Sequence, residues 1–156
     1  NEAVISICRA WFALAPDNDR QRVLCMDALT WAQDPAHAAS VDALMIDLYD
    51  HEADAPVLDD RVFYAACRNT LKEGGMASIN LFGRSHAFAR SLKILTEVFG
   101  RDQVWHFAPT REGNAIVLAG RSVPQLDADT LQMRAALLRA QYQFKTTSWL
   151  KALKSA

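Results

Sequence analysis

Apolar residues recur along this chain with two different spacings, and the two spacings alternate. Apolar positions three and four residues apart predict helices over 2–14, 28–39, 59–73, 85–99, 127–144 and 147–153. Short unbroken apolar runs predict strands over 22–26, 41–46, 76–82, 103–107 and 115–119. Gly74 and Gly75 predict the end of the helix over 59–73, because glycine commonly follows the last helical turn.

This alternation of strands and helices indicates a Rossmann-like α/β domain. Continuous apolar strands separated by helices are typical of a parallel sheet that is covered on both faces. The last two predicted strands follow each other directly, so we expect one antiparallel edge strand on a mostly parallel sheet. We find no repeat and no second domain, so residues 1–156 are treated as one domain. No strand precedes the first helix, and we therefore expect the domain to be truncated at its N-terminus.

The composition is that of an ordinary globular protein. Hydrophobic residues make up 51% of the chain and charged residues 22%, and the formal net charge is −1. This balance argues against a broad surface for nucleic acid or anionic membranes. The chain has no apolar run long enough to span a membrane, and its three cysteines form no CxxC pair. We expect a cytoplasmic protein with reduced thiols, without a nucleic-acid or membrane partner.

Carboxylates follow the first two predicted strands. Asp27 comes directly after the run over 22–26, and Asp47 and Asp50 follow the run over 41–46. In open α/β sheets, ligands bind beyond the carboxyl ends of the strands. Packing alone does not require acidic residues at two consecutive strand ends, so these three are the leading candidates for a binding or catalytic site.

The spacing of Asp47 and Asp50 allows both carboxylates to face one cavity. A carboxyl group beside another anion and partly removed from water can act as a general base. The alternative is that one of the two caps the following turn while the other is solvated. Asp27 could accept a hydrogen bond from a nucleotide base or ribose, and its alternative is the N-cap of the next helix.

Two tyrosines and one polar loop are further candidates. Tyr49 lies between the two acids and could contact a ligand. Tyr64 follows Phe63 on a helix, so we expect one of that pair to point partly away from the core stripe. The loop residues His51, Glu52 and Asp54 lack a repeated ligand spacing such as HExxH, and we predict no metal site.

Several of these segments together resemble the spermidine synthase family, the polyamine aminopropyltransferases, and especially its spermidine-synthase-like bacterial members. The resemblance covers most of residues 1–120. Its motifs are Asp-x-x-Asp at 47–50 within the segment DALMIDLYD, Phe63-Tyr64, the segment LKEGG at 71–75, the segment INL at 79–81, and the stretch from Val4 to Ala28.

The resemblance implies a class I methyltransferase-type fold and a transferase. In that family an amine of a polyamine attacks decarboxylated S-adenosylmethionine, and methylthioadenosine leaves. By the match of motifs, Asp50 corresponds to the family's general base and Asp47 to the acid at the strand end. Asp27 corresponds to the residue that contacts adenine, with Ala28 beside it and Asp47 also on the cofactor side. Tyr49, Asp50 and Tyr64 are the implied substrate-binding residues; no metal is implied.

The sequence departs from the family pattern in two places, which leaves three functions open. The family's proline after the second acid is replaced by His51, and the glycine-rich turn and ribose-binding acid would lie before Asn1. Aminopropyl transfer is the first hypothesis, methyl transfer from S-adenosylmethionine the second, and a non-catalytic binding module the third. Trp31, Trp105 and Trp149 offer apolar surface for a homodimer, although core packing is the use we favour for each.

Overall fold

A computed structural model describes residues 1–48, 60–82 and 86–156, without the side chains at 82, 86 and 87. Helices and strands alternate through most of this part of the chain. The helices are α1 Glu2–Trp11, α2 Ala28–Gln33, α3 Arg61–Thr70, α4 His86–Phe99, α5 Ala128–Tyr142 and α6 Thr146–Ala152. The strands are β1 Val41–Ile46, β2 Leu71–Phe82, β3 Val104–His106, β4 Asn114–Gly120 and β5 Lys154–Ser155. The predicted order of elements is confirmed except at 22–26, which forms no strand, and at β5, which was not predicted.

Three of these helices begin behind an aspartate. The carboxylates of Asp27, Asp60 and Asp127 each accept a hydrogen bond from a backbone N–H in the first turn of α2, α3 and α5 respectively. Aspartate is favoured at this position because its oxygen satisfies an N–H that has no partner within the helix. The local sequence therefore determines where these helices start.

The five described strands form one sheet in the order β1-β2-β4-β3-β5. Only the β1–β2 pair is parallel, whereas β2–β4, β4–β3 and β3–β5 are antiparallel. For the described residues, the prediction of a mostly parallel sheet with one antiparallel edge strand is thus wrong. The cause is twofold: residues 22–26 remain outside the sheet, and the short β5 adds a further antiparallel pairing at the other edge.

The start of β2 also differs from the prediction. Gly74 and Gly75 lie within β2 rather than at the end of a helix, because α3 already ends at Thr70 and Leu71 is fully buried in the sheet. Val41 of β1 pairs with Leu71 of β2, and the next pair is Ala43 with Met76. Residues 72–75 of β2 therefore lie opposite the single residue Asp42 and form a bulge. Gly74 has a φ of +78°, which glycine adopts without strain.

The core lies between the sheet and a layer formed by α2, α3 and α4, which pack side by side. Alternate residues of β2, namely Ala77, Ile79 and Leu81, point into this core. The opposite face of the sheet is less covered: Ser78 and Asn80 are half-buried and the side chain of Met45 is 85% exposed. Within the described residues, α1 has no buried side chain.

The C-terminal helices form a separate pair. The hydroxyl of the buried Thr146 donates a hydrogen bond to the carbonyl oxygen of Ala135, which joins α6 to α5. Among the described helices, none combines the length and the apolar character that crossing a bilayer would require.

Candidate functional site

Asp47 stands at the carboxyl end of β1, beside Asn80 of β2. The apolar run of β1 ends at the buried Ile46, and the next residue, Asp47, is exposed. Ile46 is paired in register with Ile79, so the following residue on each strand comes to lie side by side on the same face. The side-chain amide of Asn80 donates a hydrogen bond from Nδ2 to Asp47 Oδ1 over 3.1 Å.

A cavity of about 590 Å³ opens next to Asp47 along the edge of β1. Its volume is within the range of small-molecule sites, roughly 300–1,000 Å³. Ala28 and Asp47 both line this cavity. The structure thus brings together one residue predicted after the run over 22–26 and one predicted after the run over 41–46. The remaining wall is mainly apolar and is formed by Arg22, Leu24, Met26, Trp31, Ala32, Leu44, Met45, Ile46, Leu48, Phe63 and Cys67.

Asp27 is the N-cap of α2, which was the alternative reading of this residue. Its Oδ1 accepts hydrogen bonds from the backbone N–H of Thr30 at 2.8 Å and from the Thr30 hydroxyl at 3.0 Å. These two bonds, the backbone one first, hold the pKa of the Asp27 carboxyl below its ordinary value of 3.8. Asp27 adjoins the cavity through its neighbour Ala28. Its contact with a ligand stays a prediction.

Tyr64 lies in the core. Both Phe63 and Tyr64 are buried, and their ring centroids lie 5.8 Å apart, so the expectation that one of them points partly away from the core is wrong. The reason is that α3 is packed between α2 and α4, which cover two sides of the helix. Phe63 lines the cavity beside Asp47, and the role of Tyr64 in substrate binding stays a prediction.

The other predicted site residues, Tyr49 and Asp50, lie outside the described residues, as do His51, Glu52 and Asp54. Over residues 1–48, 60–82 and 86–156, no group of three or more His, Cys, Asp or Glu side chains is placed to hold a metal ion.

Asn80 and Cys67 are residues of this region to which the sequence analysis gave no role in the site. Asn80 is the polar residue of the INL motif at 79–81, near the end of the third apolar run. Cys67 lines the cavity from α3, and burial raises the pKa of its thiol to about 12. The thiol is therefore neutral at physiological pH and acts as an apolar wall.

Comparison with known proteins gives relatives of one named activity. The chain is 26% identical over 157 residues to a polyamine aminopropyltransferase from Neisseria meningitidis serogroup A and 24% identical over 155 residues to one from Chromobacterium violaceum. The matches cover 100% and 99% of this chain, but the chain spans only 59% and 58% of these relatives. No protein-family model matches the chain.

Solved structures show the same fold. Human methyltransferase-like protein 13 in complex with SAH has a TM-score of 0.77 at 19% identity, covering 92% of this chain and 68% of that one. A spermidine synthase in complex with the transition-state analogue AdoDATO has a TM-score of 0.65 at 18% identity, with 85% and 49% covered. A probable spermidine synthase from Corynebacterium glutamicum has a TM-score of 0.66 at 20% identity, with 88% and 50% covered. The predicted Rossmann-like, class I methyltransferase-type fold and the predicted resemblance are thus confirmed.

Proposed function

We propose, from the premise that this chain is a relative of the polyamine aminopropyltransferases, that the protein moves an aminopropyl group from decarboxylated S-adenosylmethionine to an amine of a polyamine. The observation that carries the proposal is the shared cavity of Asp47 and Ala28 at the carboxyl end of β1. In this reading Asp27 and Ala28 face the nucleoside, and Asp47 and Asp50 face the amine.

The reaction needs few groups from the protein. The amine nitrogen uses its lone pair to form a bond to the carbon beside the sulfonium, and the bond from that carbon to sulfur breaks. The electron pair goes to sulfur, which leaves as the neutral thioether of methylthioadenosine. The nitrogen, now a secondary ammonium, gives up a proton and becomes a neutral secondary amine, and a carboxylate of the Asp47–Asp50 pair accepts the proton. Carboxylates also suit a cationic polyamine, because hydrogen bonds between opposite charges are the stronger ones.

The apolar wall of the cavity fits the same reading. A sulfonium centre loses its positive charge as the reaction proceeds, so a site with little water favours the neutral thioether over the cation. Phe63, Leu44 and the neutral thiol of Cys67 provide such a wall next to the carboxylate of Asp47.

The test is release of methylthioadenosine, measured by liquid chromatography with mass detection, from decarboxylated S-adenosylmethionine and 1,4-diaminobutane. We expect Asp47→Asn to lower turnover by roughly a hundredfold or more, the range lost with a general base or its partner, and Asp50→Asn to do likewise. The matched control is Asp42→Asn at the start of the same strand, where the carboxylate accepts a hydrogen bond from Lys72 at 2.8 Å. We expect the control to keep the wild-type rate.

Absence of methylthioadenosine from the wild-type protein with 1,4-diaminobutane and with longer polyamines would refute the proposal. Equal loss in Asp42→Asn and Asp47→Asn would refute the assignment of the site, because only Asp47 lines the cavity.

Methyl transfer is the second candidate, and the higher TM-score of the methyltransferase-like structure, 0.77 against 0.65, favours it. The sequence also has His51 where the family has proline, in the loop that the resemblance assigns to the amine side. Calorimetric titration with S-adenosylmethionine and with its decarboxylated form separates the two functions, since the carboxylate of the former requires a hydrogen-bond donor. Tighter binding of the carboxylated form would favour methyl transfer.

A further inference from the structure

We propose that Asn80 is a positioning residue, whose side-chain amide orients the Asp47 carboxylate toward a cationic amine in the cavity. The inference rests on the proposed function, and it gives a role to a residue to which the sequence analysis assigned none. Its basis is the 3.1 Å hydrogen bond from Asn80 Nδ2 to Asp47 Oδ1 and the place of the two residues in the sheet.

The two partners differ in how firmly the backbone holds them. Asn80 lies inside β2, which is paired on one side with β1 and on the other with β4, where Asn80 is opposite Ile116. Asp47 is the first residue after β1 and is exposed. Asn80 is paired with β4, whereas Asp47 follows the last paired residue of β1, so the amide is the fixed member of the pair. The carboxylate is the member that is oriented.

A neutral donor orients this carboxylate without cancelling its charge. The other end of β1 shows the contrast, because Asp42 is paired there with the ammonium of Lys72 at 2.8 Å. Asp47 forms no ion pair with any described residue, and its hydrogen bond with Asn80 engages Oδ1. Its Oδ2 thus remains available as an acceptor, and the carboxylate keeps the negative charge that would attract an ammonium group.

The amide also has to present its nitrogen rather than its oxygen. An ionised carboxylate only accepts hydrogen bonds, so Asn80 can bond to Asp47 only through Nδ2. Leucine at position 80 would keep a similar volume without a donor, and glutamine would keep the donor on a longer side chain. These two substitutions separate the hydrogen bond from the packing.

The experiment measures the dissociation constants of 1,4-diaminobutane and of methylthioadenosine by calorimetry for wild type, Asn80→Leu and Asn80→Gln. The matched control is Ser78→Ala, which changes a half-buried residue on the same face of β2, two positions earlier. For Asn80→Leu we expect roughly tenfold weaker binding of the diamine, the effect of one hydrogen bond to a charged group, with methylthioadenosine binding unchanged. We expect Asn80→Gln to recover part of the loss and Ser78→Ala to match wild type.

Two further readouts separate positioning from a structural role. In turnover measurements, Asn80→Leu should raise the KM for the diamine more than it lowers kcat. In the NMR spectrum of ¹⁵N-labelled protein, the side-chain amide signals of Asn80 should move in Asp47→Asn and stay in place in Asp42→Asn. Equal diamine binding by wild type and Asn80→Leu would overturn the inference, and so would equal loss of both ligands in Asn80→Leu. A wild-type protein that binds neither ligand would instead overturn the proposed function on which the inference depends.

Discussion

Arg121 holds the bulge of β2 in place, and its replacement by methionine should destabilise the protein. Nη1 of the Arg121 guanidinium donates hydrogen bonds to the carbonyl oxygen of Leu71 at 2.8 Å and to that of Asn69 at 3.3 Å. Its Nε donates a third hydrogen bond to Glu73 Oε1 at 3.0 Å. The side chain is only 24% exposed and Leu71 is fully buried. Methionine would keep much of the packing, but it would leave the Leu71 carbonyl without this donor.

The Leu71 bond dominates the expected cost. A hydrogen bond to a charged group contributes about 1.5–3 kcal/mol, and a buried acceptor left unsatisfied costs a similar amount. The Asn69 bond is long and the Glu73 carboxylate is solvated, so both add little. Allowing for partial exposure of the arginine, we expect a loss of about 2 kcal/mol in the free energy of unfolding. For a domain of this size that lowers Tm by roughly 4–8 °C.

Thermal and urea unfolding followed by circular dichroism measure this change. The control is Arg134→Met, which alters an exposed arginine on α5, and we expect it to change stability by less than about 0.5 kcal/mol. Glu73→Gln removes the ion pair and leaves both carbonyl contacts, so its effect should be far smaller than that of Arg121→Met. A midpoint for Arg121→Met equal to that of Arg134→Met would refute the argument that the carbonyl contacts hold the bulge.

Two further predictions concern the adjacent glycines and the helix caps. Gly75→Ala should destabilise the protein more than Gly74→Ala in the same unfolding assay. A Cβ at position 75 would lie 2.9 Å from the Lys72 carbonyl oxygen, which is too close. A Cβ at position 74 would have no atom within 4 Å, so Gly74→Ala costs only the roughly 1–2 kcal/mol of a left-handed φ. Equal losses of stability in the two variants would contradict this prediction. The double change Asp27→Asn with Asp127→Asn should flatten the fall of stability in acid, measured as the urea midpoint from pH 6 to pH 2.5. In the folded protein the pKa values of both carboxyls lie below the ordinary 3.8. The stabilisation by these two caps is therefore present above pH 3.8 and is lost as the pH falls through the folded pKa values, whereas asparagine caps a helix without titrating. An unchanged dependence of the urea midpoint on pH in the double variant would contradict this prediction.

Part of the candidate site could be predicted from the sequence, because it depends on where apolar runs end. Asp47 follows β1 directly, and Ala28 begins α2 directly after its cap, so both positions follow from local patterns. Their meeting at one cavity agrees with the rule that ligands bind beyond the carboxyl ends of strands. The contact of Asp47 with Asn80 could not be predicted in this way, since it joins residues 33 positions apart and requires the register of β1 on β2.

The sequence by itself determined the helices α3, α4 and α5, the strands β1 and β4, and the acidic end of β1. These features depend on the spacing of apolar residues and on caps within a few positions, which are local interactions. Only the tertiary structure decided the strand directions, the inclusion of Gly74 and Gly75 in β2, and the burial of Tyr64 on a helix covered from two sides. Each of these depends on which distant segment supplies the neighbouring backbone or side chains. Spacing along one segment carries no information about that choice.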